Sequence, residues 1–200
     1  MKNRPGYMVV ELNHSGIPDK DLAPEEFSPL QEQVLAGLDS RLFQIANHPI
    51  KDDELLDRYS LPEFFGETGA DYVVPTNDVD QDIEWLFRVY KGAFALGKEK
   101  NTFLIVPGGK NAFFKPKYKD FMEQVALLAT TTFEAFVGEE AGPMDTKLDL
   151  TISSLCRAFE ERSGFYVFQD NMGLMSLDAW MRRAKEGELY YFGTILDYHF

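Results

Sequence analysis

Few residues of this chain have a type and spacing that bear on chemistry. Pro107-Gly108-Gly109-Lys110 follows an apolar run, Thr102–Val106. Glycine amides beside a lysine ammonium can hold an anion, which makes Gly108, Gly109 and Lys110 a candidate anion-binding set. The fuller phosphate-loop patterns GxxxxGK[ST] and GxGxxG are missing, and no helix is expected directly after the glycines. Proline followed by glycine is also the signature of a type II turn, and a plain turn is the simpler reading.

Asp78-Val-Asp80-Gln-Asp82-Ile-Glu84 alternates carboxylates like the opening of a calcium loop. Such a loop needs glycine at its sixth position and glutamate at its twelfth, where this chain has Ile83 and Val89. Carboxylates in a first helical turn instead complement the helix dipole. Cys156 is the single cysteine and falls on the helical side of Ile152 and Phe159, where a buried thiol acts as a small hydrophobe. His14, His48 and His199 are far apart and form no ligand motif. Asp197 and His199 share one side of a strand, read here as an exposed terminal pair. No catalytic set, metal site or cofactor is assigned.

The strongest signal is electrostatic. Residues 98–119 carry six lysines and one glutamate, in a chain whose formal charge is -13. Lys110, Lys115, Lys117 and Lys119 are interleaved with Phe114 and Tyr118. These six residues form the candidate partner-binding set. Lysines with exposed aromatics suit phosphates and bases or an acidic protein surface. The plainer alternative makes the phenylalanines core and the lysines guards of a sheet edge.

Two hundred residues fit one domain and bury enough apolar surface to fold without a disulfide or metal. The acidic balance opposes non-specific binding to nucleic acid and to anionic membrane. A single cysteine rules out an intrachain disulfide and fits a reducing compartment. The N-terminus does not read as a signal peptide. The longest uncharged run, Gln124–Phe133, has ten residues, against the ~20 of a membrane helix. The expectation is a cytoplasmic protein.

Strands are expected at Tyr7–Leu12, Tyr72–Pro75, Thr102–Val106, Ala112–Phe114, Phe165–Phe168, Glu188–Phe192 and Thr194–Phe200, the last two hinged at Gly193. A helix opens at Ser28-Pro29-Leu30-Gln31, with Leu30, Val34, Leu38, Phe43 and Ile45 as its apolar face. It stops before Pro49. Asp52–Tyr59 reads as a short acidic helix, with another turn at Leu61–Phe65. Asp78 caps a helix carrying Val79, Ile83, Leu86, Tyr90 and Phe94, ended by Gly97. Pro116 starts a third helix, with Tyr118, Phe121, Met122, Val125, Leu128, Thr132 and Phe136 buried, and Gly138 ends it. A fourth spans Asp145–Arg162, with Leu148, Ile152, Leu155 and Phe159 on one side. Ser176 caps a last helix containing Trp180 and Met181.

Interleaved strands and helices, with strand pairs adjacent in sequence, imply an α+β fold. The expectation is a single domain over residues 1–200, weakest at 138–145. Its sheet is mixed and partly antiparallel, with five to six strands and flanking helices. The function expected is a non-catalytic, acidic protein-interaction domain of inhibitor, immunity or adaptor type, with another protein as partner. The alternatives are a small enzyme or phosphate binder using residues 107–110, and nucleic-acid binding through a basic hairpin at 98–119, which the acidic body disfavours.

Overall fold

The computed structural model describes residues 40–57, 59–61, 72–138, 147–162 and 164–199. The expected strand at 7–12, the helix start at Ser28 and most of the turn at 61–65 lie outside these residues.

Ser40–Ala46 is a strand, β1, and not the tail of the helix expected to carry Phe43 and Ile45. It lies in the middle of the sheet with both faces covered, so polar alternation is lost and period alone cannot separate strand from helix. Leu42 and Phe43 are both fully buried but belong to different core clusters. After a short 3-10 turn at Asp52–Glu54, where a longer acidic helix is expected, come β2 (Tyr72–Pro75) and α1 (Val79–Val89). As expected, Asp78 caps α1, its Oδ1 accepting from the Gln81 amide at 3.0 Å. The helix ends at Val89, short of Phe94, which lies in β3 (Phe94–Leu96).

The chain continues through β4 (Thr102–Ile105), α2 (Gly109–Leu128), α3 (Phe133–Val137), α4 (Lys147–Phe159) and β5 (Phe165–Gln169). It closes with β6 (Gly173–Ser176), α5 (Leu177–Arg183) and β7 (Leu189–His199). Ser176 caps α5 as expected, its Oγ accepting from the Ala179 amide. Strand β6, not foreseen from the sequence, forms an antiparallel hairpin with β5.

Among the described residues the fold is α+β: one mixed sheet of seven strands with five α-helices. Six strands run in the order β3-β4-β7-β1-β5-β6, and β2 pairs with β7 off that path. The β1–β5 pairing is parallel and the others are antiparallel. The two expected runs at the C-terminal end are one strand, with Gly193 inside β7.

The larger core lies on one side of the sheet. Phe43, Phe103, Val167, Phe192 and Ile195 meet Ile83 and Leu86 of α1, Phe113 of α2 and Trp180 and Met181 of α5. On the other side Leu42, Leu196 and Tyr198 pack with Leu56. Strand alternation assigns Ile195 and Leu196 to opposite sides.

Candidate functional site

The turn at Pro107–Gly109 forms as expected. The Gly109 amide donates to the Val106 carbonyl at 2.7 Å, and Gly108 has φ 79° and ψ 3°, the type II geometry. The path out of the turn departs from the expectation. The chain makes no hairpin with Ala112–Phe114; it enters α2 at Gly109, and Pro116 lies inside that helix. A Cβ at position 109 would sit 2.3 Å from the Ala93 carbonyl oxygen, so only glycine lets the helix start this close to the neighbouring backbone. Phe113, on the first turns, is buried in the core and anchors the helix there.

The start of α2 therefore has the strand–turn–helix form of an anion site, and the chain supplies the anion. The Glu186 carboxylate accepts from the Gly108 amide at 3.0 Å and the Lys110 amide at 2.9 Å. These two hydrogen bonds hold the Glu186 pKa below its ordinary value. A free anion would have to displace Glu186. Lys110 directs its ammonium to the Arg182 carbonyl at 3.1 Å, at the end of α5, where a cation complements the helix dipole.

Of the six candidate binding residues, Lys110, Lys117 and Phe114 are engaged internally. Lys117 Nζ lies 3.1 Å from Asp178 Oδ2 and 5.5 Å from the centre of the Phe113 ring. Asp178 is fully buried, and its Oδ2 also accepts from the Glu161 amide at 2.7 Å. Its Oδ1 has no hydrogen-bond partner. Phe114 packs beneath the Arg182 guanidinium, which also lies over Phe159 and bonds the Phe159 carbonyl. Ser176 Oγ donates to Glu160 at 2.7 Å. These contacts bind α2 and the end of α4 to α5. Beside them Tyr90 stacks on Phe113 at 4.4 Å, and burial, aided by the charges of Asp178 and Glu161, raises its pKa.

Lys115, Tyr118 and Lys119 point outward. Beyond Phe113 the side of α2 turned inward is Lys117, Phe121, Gln124, Val125 and Leu128, all partly buried. The expected stripe is thus rotated: Phe121, Val125 and Leu128 face inward as foreseen, while Tyr118 and Met122 are 64% and 43% exposed. The continuous helix expected to reach Gly138 breaks after Leu128. Thr132 caps α3, and Phe133 and Phe136 are each 72% exposed. Helix α4 packs against α2 with Leu148, Thr151, Leu155 and Ala158 as its less exposed side. Ile152 and Phe159, expected to be buried, are exposed, and so is Cys156.

A shallow groove on α2 is lined by Ala112, Lys115, Pro116, Tyr118, Lys119, Met122, Glu123 and Ala126. Among the described residues Lys119 pairs with Glu123 along the helix, at 3.5 Å. The described parts of α2, α3 and α4 with their link, residues 109–138 and 147–159, contain six basic and four acidic residues. Lys110 and Lys117 are engaged internally, so the outward balance of these described residues is even, four basic to four acidic.

The remaining sequence candidates serve the fold. Asp82 turns inward to Arg41 of β1, with Nε 3.0 Å from its Oδ1. Arg41 also bonds Asp197 at 2.6 Å and lies over Trp85. Asp197 is thereby tied to the middle of the sheet, which corrects its reading as part of an exposed terminal pair. His48 lies in the loop after β1, with Nδ1 3.1 Å from the Pro49 carbonyl. Among the described residues no three His, Cys, Asp or Glu side chains are grouped to hold a metal ion, and no helix is long and apolar enough to cross a membrane. Sequence reasoning missed Glu186 and Asp178, which lie 78 and 61 residues from their partners Gly108 and Lys117. No local pattern marks such pairings. Set against protein-family models, curated proteins and solved structures, the chain matches none.

Proposed function

We propose that this protein is a non-catalytic interaction domain that binds another protein through the outward side of α2 and its neighbours α3 and α4. One observation supports this above all: apolar side chains of α2 lie on its outward side as well as its inward side, among charged ones. Phe113, Phe121, Val125 and Leu128 take the inner side, yet Tyr118 and Met122 remain exposed on the other. Phe133 and Phe136 of α3 and Leu150 of α4 are further exposed apolar residues. Contiguous exposed apolar surface marks association sites, and aromatic residues with Met are enriched in interface cores.

The test is reconstitution. A protein captured on the wild-type chain is purified and its binding measured by calorimetry against the wild type and against Tyr118→Asp/Met122→Asp. A control substitution at Tyr59, which is 69% exposed in the segment before β2, should leave binding intact. Saturable binding lost only in the double variant is the expected result. A partner that binds both variants equally removes the surface from the proposal.

A further inference from the structure

We infer that α2 beyond Pro116 and α4 form an arm that swings on the sheet body about Pro116, with Arg182 of α5 as its latch. This motion goes beyond the interaction reading and does not depend on it. Among the described residues, α2 and α4 pack along each other and along no strand, nor along α1 or α5. Phe121 meets Phe159 within the pair. The core holds α2 by its first turns, through Phe113 and Phe114. Pro116 lies just beyond them, inside the helix. It has no amide hydrogen to give the Ala112 carbonyl, so the helix loses one bond where it leaves the core. Helices bend at such points. The arm's other root is where the chain leaves α4 at Phe159 and enters β5 at Phe165.

Helix α5 holds both roots. Asp178 Oδ2 accepts from Lys117 Nζ at 3.1 Å and from the Glu161 amide at 2.7 Å, so one carboxylate oxygen ties the two ends of the arm together. Asp178 is fully buried, which makes this point the pivot. Arg182 sets the angle. Its guanidinium lies 5.2 Å from the centre of the Phe114 ring, before Pro116, and 4.5 Å from that of Phe159, at the end of α4. It also bonds the Phe159 carbonyl. Arg182 therefore spans the bend. Its side chain is 35% exposed, and cation–π contacts at exposed sites are weak, so the latch can open while the buried pivot holds. Opening moves the exposed Tyr118 and Met122 relative to the sheet. A binder that favours one arm position would shift the balance between the two.

The experiment is pulsed electron paramagnetic resonance on the full chain, spin-labelled at Cys156 of α4 and at Leu96→Cys of β3, both exposed positions. The latched protein should give one dominant distance. Arg182→Ala should add a second, and Pro116→Ala/Arg182→Ala should lose most of it, because the restored helix bond stiffens the bend. Two reference pairs should not change with Arg182→Ala. One lies within the arm, Cys156 with Leu127→Cys; the other lies within the body, Glu84→Cys/Leu96→Cys in a Cys156→Ser chain. An unchanged Cys156–Leu96 distance in Arg182→Ala overturns the latch, as does a wild type already as broad as the variant. Broadening of the arm pair shows the helices unravelling rather than swinging, and broadening of the body pair shows Arg182 holding the whole fold; either overturns the arm as a moving unit. A second distance that persists in Pro116→Ala/Arg182→Ala overturns the hinge at Pro116.

Discussion

Lys117 and Asp178 meet across the seam between α2 and α5, Nζ to Oδ2 at 3.1 Å, with the aspartate 1% and the lysine 19% exposed. The pair turns one lysine of the basic segment inward and leaves Lys115 and Lys119 outside. It fixes which side of α2 the protein shows to solvent. Removing one partner of a buried pair leaves an uncompensated charge. Lys117→Met should therefore destabilise the protein by about 3 kcal/mol, measured by urea unfolding. Lys117→Met/Asp178→Asn should recover most of that loss. Equal destabilisation by the single and double variants would refute the pairing.

Glu186 makes the start of α2 sensitive to acid. Its carboxylate is held below its ordinary pKa of 4.5 by the Lys110 and Gly108 amides. A lowered carboxylate contributes stability that is complete above the unfolded value and lost as pH falls through the folded one. Amide exchange at Gly108 and Lys110 should therefore speed up only below about pH 4.5, beyond its intrinsic pH trend. Glu186→Gln should abolish this acid-dependent step. Nuclear magnetic resonance exchange rates across that range decide the matter.

Gln44 and Gly193 fit each other in the middle of the sheet. Gln44 Oε1 accepts from the Leu56 and Thr194 amides, both at 3.1 Å, and Nε2 donates to the Glu54 carbonyl at 2.7 Å. A Cβ at position 193 would lie 2.4 Å from that Oε1. The glutamine is buried and bonded three ways, so it cannot swing aside without orphaning backbone groups. Gly193→Ala should cost about 2–4 kcal/mol. Combined with Gln44→Ala the two losses should be less than additive, as a double-mutant cycle in denaturant would show.

Cys156 is exposed on α4. It should react stoichiometrically with a thiol reagent such as Ellman's reagent in the native protein, at the same extent as in denaturant. A labelled Cys156 should leave the melting temperature unchanged, because surface changes away from buried features alter stability little. Protection of the thiol in the native state would contradict the placement of α4.

Punctuation and composition are legible in the sequence. Asp78 and Ser176 read as caps and act as caps, because capping is decided within three residues. Pro107-Gly108 reads as a type II turn and is one, since φ preferences are properties of single residues. The α+β class follows from the interleaving of apolar periods. The charge imbalance locates residues 98–119 as the part of the chain that differs from the rest.

Tertiary structure decided whatever depended on what lies opposite. Phe43 and Ile45 fit a helical period as well as a strand's; burial between β7 and β5 made β1 a strand. The exit from the Pro107 turn was set by Phe113 entering the core and by Glu186 reaching the loop from 78 residues away in sequence, and both led into a helix. The rotation of α2 was set by Lys117 finding Asp178, which exposed Tyr118 and Met122 where the hydrophobic pattern alone places them inside. Local preferences act over a few residues, whereas side-chain burial is settled by contacts distant in sequence. That is why the turn and the caps can be read from the chain, and the outward face of α2 cannot.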